Sequence, residues 1–250
     1  MASFKDKFAG RKAYKAHIEG NQAIDKGEFV KAKEKHDLAL ELYKQAYDAG
    51  VRDLNISMAY AVLLMRYDRC ELAKTILLEC EKTPKLSEKD RKQLYINYSV
   101  CQWRLGNIDR AIELMETAAS NGTTALIYTT LGYYYIERGK QTGDFSQAIE
   151  YNQKAYEYDE EDGGILDNLG QLYYFMGDHN KAYEYFARAY DAKPTQAATL
   201  FYIAKINVER GNYEKAKAFI EKCLTGNFSA LCTIARSEAE ALKAEIDRHA

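Results

Sequence analysis

The sequence predicts an all-α chain assembled from successive helical hairpins, and three observations carry that expectation. The 250 residues include only two prolines and no run that alternates β-branched with polar residues, so long helices can form uninterrupted and strands are not expected. Alanine recurs at positions 32, 73, 111, 148, 182 and 216, and seven residues after each stands another small residue: Ala39, Cys80, Ala118, Ala155, Ala189 and Cys223. Glycine followed by Glu, Asn or Asp precedes five of the six alanines. Small side chains at fixed spacing let two helix backbones approach, and glycine tolerates the left-handed backbone of a helix stop.

The alanines are 41, 38, 37, 34 and 34 residues apart, within the range of helix–turn–helix repeats. Taken in order, a short N-terminal extension, 1–12, precedes a first hairpin over 13–46 that turns at Gly27-Glu28. The second, 54–87, has Asp68 where the others carry glycine, which is a weaker stop; the third, 92–125, turns at Gly106-Asn107. The fourth, 125–162, turns at Gly143-Asp144, the fifth, 163–196, at Gly177-Asp178, and the sixth, 197–230, at Gly211-Asn212. The remaining stretch, 228–250, places Leu231, Ile234, Leu242 and Ile246 on about one helical face, so it is expected to cap the sixth hairpin, with Ser229 as its N-cap.

Composition narrows the function classes. Lys plus Arg number 35 against 37 Asp plus Glu, interspersed throughout, so no global field attracts nucleic acid or an anionic membrane. No apolar run approaches the length that spans a bilayer, and the charged first twenty residues do not resemble a leader; a soluble, cytoplasmic protein is expected. Five cysteines without a C-x-x-C pair fit neither a disulfide framework nor a zinc site, and reduced thiols are expected.

The repeat resembles the tetratricopeptide repeat (TPR). The family signature has large, Leu, Gly/Ala and Tyr at repeat positions 4, 7, 8 and 11, then Ala, aromatic, Ala and Pro at 20, 24, 27 and 32. The fifth hairpin matches throughout, with Leu166, Leu169, Gly170, Tyr173, Ala182, Phe186, Ala189 and Pro194. The fourth supplies Tyr128, Leu131, Gly132, Tyr135, Ala148 and Ala155, and the other four are looser. The resemblance implies a right-handed α-solenoid of about six TPR hairpins plus a C-terminal capping helix. It also implies a non-catalytic protein-protein interaction module that binds a partner polypeptide segment in the concave groove lined by the first helix of each hairpin.

Carried over position by position, the groove residues implied are His17 and Asn21 from the first repeat, and Asn55, Met58, Val62, Met65 and Arg66 from the second. The third gives Ile96, Val100, Trp103 and Arg104, the fourth Thr129 and Tyr133, and the fifth Gln171 and Tyr174. If exposed, Met58, Val62, Met65, Ile96, Val100, Trp103 and Tyr133 would form an apolar patch flanked by Arg66 and Arg104, suited to an extended segment or amphipathic helix. Strong curvature would instead bury them between neighbouring helices, and the two arginines could equally pair with Asp25 and Glu137. The family's carboxylate-clamp variant has counterparts here in His17, Asn21, Ala59, Gln93 and Asn97, of which only Asn21 matches. A sensor or regulator whose groove takes a short peptide or small ligand and changes shape is the alternative reading. No catalytic residue, metal or cofactor is expected.

Four features are set aside on pattern. RGKQTGDF, 138–145, lacks the upstream glycine and strand of a phosphate loop, and is expected to be an insertion in the fourth turn. EYDEEDGG, 157–164, lacks the alternation of a calcium loop and is expected to link two repeats. His17, His36, His179 and His249 are read as dispersed, and Cys80 and Cys223, at the small-residue position, as packing groups.

Overall fold

A computed structural model describes residues 3–120, 122–226 and 228–249. Among these residues the chain forms thirteen helices and no strand: α1 (Phe4–Asp25), α2 (Phe29–Asp48), α3 (Leu54–Arg66), α4 (Cys70–Glu81), α5 (Glu88–Arg104), α6 (Ile108–Ala119), α7 (Ala125–Thr142), α8 (Ser146–Tyr158), α9 (Gly163–Phe175), α10 (His179–Ala192), α11 (Ala197–Glu209), α12 (Tyr213–Leu224) and α13 (Arg236–Ile246). They fall into two compact units, Met1–Ala118 and Ala119–Ala250. In unit 1, α1 pairs with α2 and α3 with α4; α3 then packs on α1 and α2, and α5 on α3 and α4. In unit 2, α7 pairs with α8, α9 with α10 and α11 with α12, and the first helices α7, α9 and α11 adjoin in sequence.

Five of the six hairpin turns share one hydrogen-bond pattern. Gly27, Gly106, Gly177 and Gly211 adopt φ of 73°, 81°, 87° and 73°. In each turn the amide after the glycine donates to a carbonyl five residues earlier: Glu28 to Ala23, Asn107 to Gln102, Asp178 to Tyr173 and Asn212 to Asn207. This is the Schellman stop, which satisfies the carbonyls a helix end leaves open. Asp68 is forced into the same geometry at φ 55°, and Arg69 donates to Leu64. A Cβ is disfavoured there, though aspartate tolerates it better than most residues.

The small residues lie where the helices of a hairpin touch. Ala73, Ala111, Ala182, Ala216, Ala39, Ala155, Ala189 and Cys223 are fully buried. At repeat position 8 the fit is tighter still: a Cβ on Gly170 would stand 2.6 Å from the Phe186 ring, and one on Gly20 would stand 2.3 Å from the His36 ring. Such spacing is below van der Waals contact, so glycine here is a packing requirement. Between the aromatic residues of these seams, Tyr173 stacks on Tyr185 at 5.5 Å and Phe186 on Tyr202 at 5.3 Å, both nearly parallel.

Three expectations differ from the structure. Residues 138–142 belong to α7 and lengthen it, whereas an inserted turn was expected; Gly143, at φ 77°, stops the helix, and Gly139 leaves room for the Phe145 ring, 2.6 Å from where a Cβ would stand. Ser229 does not cap α13. That helix starts at Arg236, where the Glu238 carboxylate accepts from the Ala235 amide at 2.6 Å, and the Ser229 hydroxyl accepts from the Leu231 amide within the preceding link. Leu231 is therefore outside the helix and 40% exposed, while Ile234, Leu242 and Ile246 are buried as the apolar spacing implied. Of the 157–164 stretch only 159–162 links α8 to α9, its ends belonging to the two helices, and Asp162 caps α9 by accepting from Gly164 and Ile165 at 2.8 and 2.9 Å.

Candidate functional site

In unit 1 the groove positions lie on α1, α3 and α5. Exposure along them departs from a continuous apolar patch: Met58, Met65, Ile96 and Val100 are buried, Met65 at 1%. The cause is the contact of α3 with α1 and of α5 with α3, which covers side chains directed toward the neighbouring first helix. Half-buried there are Asn21, Val62, Arg66, Trp103 and Arg104, and Asn55 is exposed. Tyr133, in unit 2, is buried too, so the apolar run expected across three repeats does not exist as open surface.

Around Arg66 the sequence reading missed a cluster. His17 on α1 and His36 on α2 are not dispersed: they belong to one hairpin, with ring centres 5.5 Å apart edge to face. Both are buried, at 7% and 3% exposure, and burial depresses each imidazole to about 4. The neighbouring Arg66 guanidinium pushes both in the same direction. His17 Nδ1 lies 3.4 Å from the Tyr43 hydroxyl, and His36 Nε2 lies 3.1 Å from Asn21 Oδ1. The Arg66 guanidinium donates to Asn21 Oδ1 at 3.3 Å and approaches His36 Nδ1 at 3.4 Å. Neither partner carries a negative charge, and burial is the main influence lowering the Arg66 pKa. Arg104 instead pairs with Asp68 and lies over the Trp103 ring. Neither arginine takes the partner expected from sequence.

In unit 2 the positions lie on α7 and α9. The Thr129 hydroxyl is taken by its own helix, donating toward the Ala125 and Leu126 carbonyls, and the residue borders a shallow cleft of about 470 Å³ with Leu126, Asp162 and Lys193. The buried Tyr133 hydroxyl donates to Glu137 at 2.7 Å and lies 3.4 Å from the Thr233 carbonyl. Gln171, fully buried, donates to Asp167 at 2.7 Å and to the Thr233 hydroxyl at 3.1 Å. Asp167 is 2% exposed and also accepts from Thr199 at 2.6 Å; burial drives its carboxyl up to about 6, against the pull of those donors. The Tyr174 ring stacks on His179 at 4.6 Å, and its hydroxyl donates to Glu209 at 2.6 Å.

Among the described residues, no group of three or more His, Cys, Asp and Glu side chains could hold a metal ion. Burial raises the Cys80, Cys101 and Cys223 thiols to about 11, 12 and 12, away from thiolate character. Among the described residues, no helix is long and apolar enough to cross a membrane.

Comparison with known proteins agrees with this architecture. Sequence models of the tetratricopeptide repeat match residues 92–121 and 176–224. A stretch of 93 residues, 37% of this chain, is 32% identical to BBSome complex member BBS4 of Bos taurus and amounts to 17% of that protein. Among solved structures, TTC0263, a thermophilic TPR protein of Thermus thermophilus, superposes with a TM-score of 0.63 at 16% identity, over 78% of this chain and 100% of that one. The APC/C hetero-tetramer Cut9-Hcn1 gives a TM-score of 0.61 at 18% identity, over 96% of this chain and 48% of that one. The register of small residues, the left-handed turn residues and these matches agree: residues 92–121 and 176–224 match the tetratricopeptide repeat, and the chain has the helical-hairpin fold of tetratricopeptide repeat proteins.

Proposed function

We propose that this chain is a non-catalytic interaction module whose first-helix face in unit 1 binds an extended or helical segment of a partner protein. The observation that carries this reading is Arg66: a half-buried guanidinium whose hydrogen-bond partners, Asn21 and His36, are both neutral. A cation removed from water gains most from a charge-assisted bond, and a partner carboxylate supplies it. Val62 and Trp103, half-buried on α3 and α5, offer apolar surface for the adjoining side chains of the partner. The assignment is to a protein partner, neither nucleic acid nor membrane, since Lys plus Arg balance Asp plus Glu along the chain.

Affinity capture from lysate tests it. Replacing Arg66 and Trp103 with alanine, two substitutions outside the fully buried core, is expected to reduce recovery of specific partners about tenfold or more, the scale of a lost hot spot. Equal recovery by the variant and the intact protein would contradict the assignment.

A further inference from the structure

The link between α12 and α13 is unlike the others. Residues 225–235 separate Leu224 from Arg236, whereas 159–162 and 193–196 suffice at the two preceding links of unit 2. The additional length crosses the first-helix face. Thr233 reaches Gln171 on α9 through its hydroxyl, at 3.1 Å, and approaches the Tyr133 hydroxyl on α7 through its carbonyl, at 3.4 Å. Both contacts are made to groove positions. Ile234, 4% exposed, is embedded in the cluster of Phe201, Tyr202 and Ile206, and Phe228 and Cys232 pack against its edge. Arg236 fixes the base of the link, donating to the Leu224 carbonyl at 3.1 Å with its guanidinium 4.6 Å from the Phe228 ring.

We propose that residues 228–235 are a resident pseudo-ligand: a strap that holds the first-helix face of unit 2 closed until an extended polypeptide bearing a hydroxyl residue followed by a branched aliphatic one displaces it. The strap's own contacts specify that chemistry, because the Gln171 amide reads the Thr233 hydroxyl and the apolar cluster takes the Ile234 side chain. The seat is also incompletely used. Gln171 Oε1 is buried with no hydrogen-bond partner among the described residues, although its amide nitrogen serves two acceptors. A strand arriving in better register would add a backbone N–H to that oxygen, which gives a competitor something the strap lacks. A tethered strap competes as a ligand at high effective concentration, so the closed state lowers apparent affinity by the fraction of time the face is open.

This inference rests on the reading that first-helix faces of this chain dock polypeptides, but it concerns unit 2, and its test is separate from Arg66 and Trp103. The probe is fluorescein-labelled FSALSTIARS, the chain's residues 228–237 with Cys232 replaced by serine, added to the full chain. The double substitution Thr233→Gly, Ile234→Gly removes both anchors of the strap; the expected result is binding at least about tenfold tighter than to the unaltered chain, with Thr233→Ser behaving like the latter. In the unaltered chain, saturating peptide is expected to speed hydrogen exchange at amides 229–235 while 239–246 in α13 stay protected. Equal affinity for the unaltered and doubly substituted chains, no binding to either, or unchanged exchange at saturation would overturn the proposal. Any of these results together with partner loss in the Arg66, Trp103 variant would refute the strap and leave docking on unit 1 standing.

Discussion

Replacing Phe186 with alanine is expected to cost unit 2 about 3–5 kcal/mol, the range for removing a fully buried aromatic ring. The ring is 0% exposed and stacks in parallel on Tyr202 at 5.3 Å. It also fills the notch left by Gly170, so its loss opens a cavity bounded by α9, α10 and α11 together. Because each hairpin of a repeat array is stabilised chiefly by its neighbours, the damage spreads to the α11–α12 pair as well. Urea unfolding followed by far-ultraviolet circular dichroism measures the loss; a shift of under about 1 kcal/mol would mean the ring is not packed as described.

Acidification is expected to weaken unit 1 and spare unit 2. His17 and His36 have folded-state values of about 4, below the ordinary 6.5, so between those limits the unfolded chain binds more protons and stability falls as pH drops. Each site contributes up to about 3 kcal/mol, and the pair titrates as a coupled unit rather than as two independent groups. The groups facing the pair are Tyr43, Asn21 and Arg66, with Asp37 next to His36 in the chain, and the protonated rings would stand against the Arg66 charge. Asp167 works in the other direction. Its carboxyl, raised to about 6 from 3.8, makes the folded state the better proton binder, so unit 2 gains stability as pH falls from about 6 toward 4. The single tryptophan, Trp103, lies on α5 and reports on unit 1 alone. Its urea transition should move to lower denaturant between pH 7 and pH 5, and His36→Gln should flatten that dependence. A midpoint constant over this window would contradict the buried, neutral pair.

The repeat was legible in the sequence because its determinants are local and steric. Ala182 and Ala189 occupy helix–helix contacts where no larger residue fits, and Gly177 takes a backbone angle that other residues resist, so both leave periodic marks. The starts of the first helices were equally readable and were missed: Asp53, Ser87, Thr124 and Asp162 each accept from an amide three residues on, the ordinary N-cap spacing. Exposure along the first-helix face was not legible, since whether Met65 or Val100 is covered depends on how closely successive first helices approach, which the repeat signature does not encode. Residues 138–142 read as an insertion in the fourth turn because they stand just ahead of Gly143-Asp144, and nothing in the sequence marked the packing role of the glycine at 139. That glycine admits the Phe145 ring against a continuous helix. The strap was obscured by its own apolar residues, whose spacing mimics a helix although Ile234 is buried ahead of the α13 start.

Small side chains are needed at these seams because a specific large one occupies the space beside them, as the Phe186 ring does beside Gly170. A double-substitution cycle on Gly170→Ala and Phe186→Leu tests it most directly, read as unfolding free energies of unit 2. With Phe186 present, the added methyl should destabilise by roughly 1–3 kcal/mol through overpacking, despite alanine's helix preference. With leucine at 186 the same methyl should cost far less or become stabilising, a coupling of at least about 1 kcal/mol. An identical effect of Gly170→Ala in both backgrounds would contradict the account.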